Sequence, residues 1–419
     1  MILFGFFIVI GITVFALSRD SSSGSGANLV VWGTIEESAF NALIKASTLD
    51  GSDLITVNYI QKDQADFNQD FIEALAEGAG PDIVILRDDF VHKNSSKLFT
   101  IPYKNMPEGT FKSKFIEESE IFLTKEGVLA VPLMIDPMVM YWNRDIFTNN
   151  LVSQPPEYWD QVYPLVEKMT KKDSGGNVLQ SVIALGESRN ITNSKDILAM
   201  LLLQAGTTIT SRSGDKVVST FNLPYDLPVP PSDSAISFYT QFSNPTSNYY
   251  TWNRSLPTSL NMFLGGNLAM YIGFASEIFP IQQKNSNLNF NVTYVPQTRN
   301  TARKTVFGHM YTMSITKQSK NVASAFTAIM ALTEVPALEA LETVTSLPPV
   351  RRDMLANRPS DAYRSVFYSS ALISRSWIDP EPTATANLFR DMIEGITSGK
   401  LRQFEAISRA NAELSSLLK

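Results

Sequence analysis

The sequence predicts an α/β protein built on a doubly wound, parallel sheet, and three observations carry that reading. Short apolar strands alternate with amphipathic helices along the first folded stretch. Gly78 and Gly80 end the second of these helices just ahead of the third strand. That strand, Ile83 to Leu86, is wholly apolar and opens at once onto Arg87, Asp88 and Asp89. In open parallel sheets ligands bind beyond the carboxyl ends of the strands, where these charged residues would stand.

The elements follow in order. The folded part begins near Asn28, and Leu29 to Trp32 reads as a short buried strand. Thr34 and Glu37 have the T-x-x-E spacing of a capping box. The helix behind them carries Phe40, Leu43, Ile44 and Ser47 at helical spacing. Leu54 to Ile60, rich in β-branched residues, is a second strand, and Phe67, Phe71, Ile72 and Leu75 give the second helix one apolar face. Leu129 to Leu133 reads as extended, with Pro132 keeping it from the middle of a sheet. Asp136-Pro137 breaks the pattern, Met138 to Trp142 resumes as a strand, and Asn143-Arg144-Asp145 turns out of it. Pro155-Pro156 precedes a helix from Tyr158 to Met169. Ile197 to Gln204 is an apolar helix stopped by Gly206, and the Thr-, Ser- and Pro-rich residues 207–231 read as a surface excursion. Met262 to Leu264 form a helix that Gly265 and Gly266 cap, and Leu268 to Gly273 and Phe307 to Ile315 are buried strands. Val322, Ala325, Phe326, Ile329 and Leu332 line a helix, Leu347-Pro348-Pro349 is a rigid break, and 386–418 is helical with an interruption at Gly399.

Bulk properties narrow the function. A chain of 419 residues, 44% hydrophobic and 18% charged, is long for one core and predicts two domains or three. Net charge is -6, with no Lys/Arg run, which argues against nucleic acid as a partner. Cysteine is absent, which excludes disulfides, a thiolate nucleophile, Cys-based zinc and a lipid-bearing cysteine. The two histidines, His92 and His309, are too few for a His-rich metal site, and His309 reads as a packing or hinge residue. No nucleophile elbow, phosphate loop or H-E-x-x-H is present, and Asp88-Asp89, adjacent on an extended chain, would point opposite ways rather than act as a glycosidase pair. The expectation is a protein that is not an enzyme and needs no cofactor or metal.

Met1 to Leu17 is apolar and, as a helix, about 25 Å long, near the lower limit for crossing a bilayer. It has neither the basic flank nor the A-x-A site of a cleaved signal. Residues 1–18 therefore read as an uncleaved membrane anchor, and 19–27, rich in Ser and Gly, as a flexible tether to an extracytoplasmic domain.

Six blocks stand in order along the chain. They are Leu29-Val30-Val31-Trp32 ahead of a helix; Gly80-Pro81-Asp82-Ile83-Val84; Val128 to Pro132 with Tyr141 to Phe147; Pro155-Pro156 through Trp159; Phe263-Leu264-Gly265-Gly266-Asn267-Leu268-Ala269-Met270; and Gly308 to Ile315 with Lys317 to Phe326. Together they resemble the sugar-binding family of extracellular solute-binding proteins of ABC importers, the group that includes the maltose- and maltodextrin-binding proteins. The resemblance implies a two-lobed, periplasmic-binding-protein-like fold of type II. Each lobe would be a mostly parallel sheet flanked by helices. Three crossings would fall near Leu133–Asp136, Val306–Gly308 and Ser346–Pro348. Lobe one would hold 28–134 and 308–345, and lobe two 135–307 and 346–419. The implied protein is a monomer that closes on a small solute, most simply a carbohydrate, and delivers it to ABC permease subunits.

A sugar site needs carboxylates to take hydroxyl protons and aromatic rings to cover C–H faces. The resemblance places Asp88 and Asp136 as ligand-binding acids, with Asp89 beside the first. Glu37 reads as a cap, and Glu36 as the residue facing the cleft. Trp32, Tyr311, Trp252 (in the loop from Asn248 to Arg254) and Trp377 (ahead of Ile378-Asp379-Pro380) are the candidate ring faces. One departure stands out: the family has Gly-x-Trp after Ala-Met, and here the chain reads Gly273-Phe274-Ala275-Ser276. Either Phe274, with Ser276 beside it, stands in for the tryptophan, or the ligand is not a typical oligosaccharide. Two alternatives remain open: the same fold binding a cationic or metal-chelate ligand through Asp88, Asp89 and Asp136, or a surface sensor or adhesion module without a transporter.

Overall fold

The computed structural model describes residues 26–214, 216–222, 228–301 and 303–419. The expected anchor, 1–18, and most of the expected tether lie outside the described residues. Among the described residues no single helix is long and apolar enough to cross a membrane.

In chain order, the elements that position the site are β1 (Ala27–Gly33), α1 (Glu37–Lys45), β2 (Ile55–Gln61), α2 (Phe67–Ala76), β3 (Ile83–Arg87), α3 (Asp88–Lys93), β4 (Ile101–Pro102), β5 (Gly127–Val128) and β6 (Val131–Asn143). They continue with β7 (Lys171–Lys172), β8 (Val178–Ile183), α4 (Ser194–Ala205), β9 (Thr210–Ser213), β10 (Lys216–Ser219), β11 (Leu268–Phe274), β12 (Phe290–Thr293) and β13 (Val306–Ile315). The last are α5 (Val322–Leu332), α6 (Val335–Thr345), β14 (Ser374–Arg375), α7 (Pro382–Thr397) and α8 (Gln403–Leu417).

One sheet runs in the order β2-β1-β3-β13-β6-β11-β8-β7, with β12 also on β6 and β14 also on β13. The first three strands behave as predicted: β1 lies parallel to β2 along its length and parallel to β3. Their inward residues, Leu29, Val31 and Ile83 to Leu86, are buried. Phe40 of α1 stacks on Tyr59 of β2 at 4.1 Å, α6 packs against α1, and α5 packs against β1 and β13. Each such side chain contributes about 1.5–3 kcal/mol on burial.

The sheet as a whole is mixed, not mostly parallel. β13 is antiparallel to both β3 and β6, and β6 is antiparallel to β11 and β12. The alternation of strand and helix fixes direction only between neighbours joined by a crossover helix. β6 and β13 come from distant parts of the chain, so nothing local sets their direction.

β6 also corrects the reading of its prolines. It is one continuous strand through Pro132 and Pro137. The register with β13 jumps from Met134–Tyr311 to Pro132–Thr312, so Leu133 is an extra residue in a bulge. Bulges are where a sheet tolerates a missing N–H. Pro137 is the last residue of β6 paired with β13, and Met138 is the first paired with β11. The second proline thus sits where the strand exchanges partners.

Smaller differences have local causes. The Thr34–Glu37 capping box does not form: no side chain caps α1, and the Glu37 N–H donates to Gln61 Oε1 at 2.9 Å. Ile72 is exposed, while Phe67, Phe71 and Leu75 make the buried face. The segment from Tyr158 begins as a 3-10 turn, Trp159–Val162, before the α-helix Tyr163–Met169. Within 207–231 the chain forms the β9–β10 hairpin, tied down by buried Ile209 and Phe221. α4 ends at Gly206 with φ 101°, as its sequence predicted.

Candidate functional site

At the end of β3 the backbone stays extended at Arg87 and turns into α3 at Asp88. Asp88 and Asp89 are therefore first-turn helical residues rather than neighbours on an extended chain. Both are buried and both line one small space, which corrects the expectation that they diverge. β13, lying antiparallel beside β3, puts Tyr311 opposite Arg87. Its other neighbour, β6, puts Asp136 opposite His309. The first turn of α4 brings Lys195 and Asp196, and the segment behind β14 brings Ser376, Trp377 and Asp379.

These side chains bond across the space from opposite sides. Asp88 Oδ1 accepts from the Met310 N–H at 3.2 Å and lies 2.9 Å from His309 Nδ1. Asp88 Oδ2 accepts from the Ser376 hydroxyl. The other His309 nitrogen, Nε2, faces Asp196 Oδ1 at 3.8 Å. The imidazole is packed between two rings: Phe274 lies stacked at 5.1 Å and Phe307 stands edge-on at 5.1 Å. Arg87 grips Asp89 with two bonds, Nε to Oδ1 at 2.9 Å and Nη2 to Oδ2 at 2.5 Å. Lys195 donates to Asp379 Oδ2 at 2.5 Å, with its ammonium 5.7 Å from the centre of the Trp377 ring. Lys93 of α3 pairs with Glu381, at the start of α7. These groups close on one another so tightly that no room for a water molecule is left between them.

The charges follow from these contacts. Burial and Arg87 both push the His309 pKa down, but the carboxylates of Asp88 and Asp196 outweigh them and raise it to about 10. Both ring nitrogens are then donors. Burial pushes Asp89 up, yet the Arg87 guanidinium wins and holds it at about 2. Asp136, whose carboxylate accepts from the Ser276 N–H at 2.9 Å, is raised by burial to about 6. Glu118 lies against the same cluster with both carboxylate oxygens buried and no hydrogen bond of normal geometry among the described residues; burial and Asp88 raise it to about 8, although the Ser374 hydroxyl and the His309 and Arg375 charges are near enough to pull it down.

Atoms of Asp88, Asp89 and His309 come within 4.8 Å of one another, near enough to share a metal ion. The donor set does not suit one. Asp89 is held by two bonds to Arg87, and Asp88 already takes bonds from His309, Met310 and Ser376. The arrangement offers charged acceptors, charged donors and ring faces, which is the chemistry of holding a polar solute.

Of the sequence-predicted residues, Asp88, Asp89 and Trp377 line the space, Phe274 packs on its central histidine, and Asp136 is tied to Ser276 next to it. Tyr311 is half-buried opposite Arg87, and its phenol is raised to about 12 by burial. Trp32 and Glu36 lie at the β1 end: the Trp32 ring is buried beneath the Lys62 ammonium at 4.0 Å, and Glu36 is exposed. Trp252 is a correction. It is fully enclosed, with its indole N–H donating to Asn190 Oδ1 at 3.2 Å, and its ring faces core rather than an open cleft. The reading of single residues missed His309, Lys195, Asp196 and Asp379. A polar pair in the first turn of a helix and a lone histidine in a strand carry no signal of their own.

The model of the bacterial extracellular solute-binding protein family matches residues 40–366. The chain belongs to that family. Solved structures share the fold at low identity. A solute-binding protein from Thermotoga lettingae, bound with α-D-tagatose, is 18% identical with a TM-score of 0.69, covering 94% of this chain and 100% of that one. The cyclic α-maltosyl-1,6-maltose binding protein from Arthrobacter globiformis is 14% identical with a TM-score of 0.76, covering 94% and 99%. The GacH receptor of Streptomyces glaucescens, solved with acarbose, is 17% identical with a TM-score of 0.68, covering 94% and 99%. No curated protein sequence matches the chain.

Proposed function

We propose that this solute-binding protein captures a carbohydrate in a cleft between two lobes and delivers it to an ABC importer. Lobe one is taken as 28–134 with 308–345, and lobe two as 135–307 with 346–419. The observation that carries the reading is the convergence of side chains from α3, from β13, from α4 and from the segment behind β14 on one small space. Support also comes from β6, which exchanges β13 for β11 at Pro137, and from β13, where pairing with β6 begins at Gly308. Both points lie close to the proposed crossings. The sugars named for the three relatives above favour a carbohydrate. A cationic ligand is less favoured because Asp89 and Asp379 already hold cations of the chain itself, Arg87 and Lys195. Residues 1–18 are proposed to hold the receptor at the outer face of the membrane.

Thermal unfolding of the chain against mono- and oligosaccharides, with polyamines and divalent ions alongside, tests this. A ligand at 100 times its Kd adds about 2.7 kcal/mol, which moves Tm measurably. A sugar hit is the expected result. A hit with a polyamine or metal ion alone, or no shift with any compound, refutes the carbohydrate reading.

A further inference from the structure

The bonds across the space single out one residue. His309 is the point where the two sides meet. Its Nδ1 is bonded to Asp88, which belongs with β3 and α3, and its Nε2 faces Asp196, which belongs to α4. His309 is 6% exposed, and Phe274 and Phe307 pack against its ring and hold its plane. Asp88 continues the chain of contacts by accepting from Ser376, behind β14. The resulting line, Asp196–His309–Asp88–Ser376, starts and ends on the same side and passes through the other in between.

We infer that the His309 imidazolium is a charged clasp that positions the two sides of the cleft in their closed arrangement, with Asp196 as its partner across the gap. The inference rests on the two-lobe reading above. The imidazolium is bonded to Asp88 at 2.9 Å and faces Asp196 as an ion pair at 3.8 Å, and neutral imidazole has no charge to set between the two carboxylates. Loss of the charge leaves Asp88 and Asp196 facing each other without a cation between them, and like charges at close range in a dry site repel strongly. Closure then weakens. The clasp also bears on the ligand. Asp88, the acid best placed for a sugar hydroxyl, is already bonded to His309, Met310 and Ser376. A ligand reaching Asp88 has to replace the Ser376 bond, while the His309 bond can persist and hold the carboxylate in place.

Other titrating and charged groups surround the clasp and have to be separated from it. They are Arg87 on β3, Asp89 on α3, Asp136 on β6, Glu118 on its 3-10 turn, Lys195 on α4 and Asp379 behind β14. Lys93 and Glu381 make a second bridge nearby. His309→Gln also takes away the charge that lowers Asp89, Glu118 and Asp136, so Asp196→Asn, which keeps His309, serves as the second comparison over the same pH range.

Closure can be read without any ligand. The chain has no cysteine, so Glu77→Cys and Lys400→Cys, both at exposed positions, give a single pair of spin labels, one in each proposed lobe. The full chain is measured by pulsed electron resonance between pH 6 and pH 10, as wild type, as His309→Gln and as Asp196→Asn. Asp196 is the more exposed partner, so its variant is the safer one for folding. The clasp predicts one short distance for wild type at pH 7 and a longer population in both variants at pH 7. Wild type should gain that population only toward pH 10, and His309→Gln should show a flatter pH profile. Distances that are the same in all three chains, or that follow pH equally in wild type and His309→Gln, overturn the clasp. The sugar-capture reading is judged by the thermal shifts alone, so a failed sugar screen with a working clasp, or the reverse, separates the two.

Discussion

Glu118 gives the sharpest test of the electrostatics around the buried cluster. Glu118 is 1% exposed, its oxygens make no hydrogen bond of normal geometry among the described residues even though the Ser374 hydroxyl is near enough to lower it, and Asp88 lies close enough to repel it. Burial lifts its pKa from 4.5 to about 8. Between those two values the folded chain keeps a proton that the unfolded chain has released. Stability therefore falls as pH rises from 4.5 to 8, and the full cost is reached above 8. At about 1.4 kcal/mol for each pH unit, the ceiling on that cost is about 5 kcal/mol. Relaxation and water entry reduce it, so about 2–5 kcal/mol is the working range. Glu118→Gln keeps the shape and removes the charge. Urea unfolding followed by tryptophan fluorescence at pH 5 and pH 9 measures the effect. The variant should match wild type within about 1 kcal/mol at pH 5, where wild-type Glu118 is also neutral, and exceed it by about 2–5 kcal/mol at pH 9. His309 and Asp136 titrate in both chains, so most of their contribution drops out of the comparison, and what remains is the coupling of Glu118 to His309. An equal difference at the two pH values would show that Glu118 is not buried as a lone acid and would refute the reasoning.

Two further substitutions test the packing. Trp252→Phe should lower stability by about 1–3 kcal/mol, because it leaves a small void and strips Asn190 Oδ1 of its donor, while the Kd for any ligand found stays the same; this is read by urea unfolding and calorimetric titration. Gly127→Ala should cost about 1–3 kcal/mol in the same unfolding assay, because its new Cβ would stand 2.0 Å from the Ile101 carbonyl oxygen across the β4–β5 pair.

The first three strands and their helices were legible in the sequence because local patterns determine them. Apolar runs of strand length, helical spacing of Phe67, Phe71 and Leu75, and glycines at helix ends all act within a few residues. The mixed direction of the sheet was not legible, since β6 and β13 meet from residues far apart and pair according to the whole fold. The acids at the end of β3 were also visible, since a strand that opens onto charge marks a site in this architecture. Their partners were not. His309, Lys195 and Asp379 acquire meaning only from one another, and the pattern around each is that of an ordinary strand, helix start or loop. Trp252 failed for the opposite reason. Its loop is polar in sequence, and composition says nothing about which way a ring turns.

The place of β13 between β3 and β6 has a consequence for synthesis. β3 is complete once residue 87 has been made, but the strand that covers its edge does not begin until residue 306. During that interval the sheet β2-β1-β3 carries an open apolar margin, the kind of edge on which nascent chains stick to each other. β6 waits as well, since its first half also pairs with β13. Contacts this distant in sequence make assembly slow. The chain thus travels most of its length as an unfinished sheet, and the late arrival of one strand both seals the first half and joins it to the second.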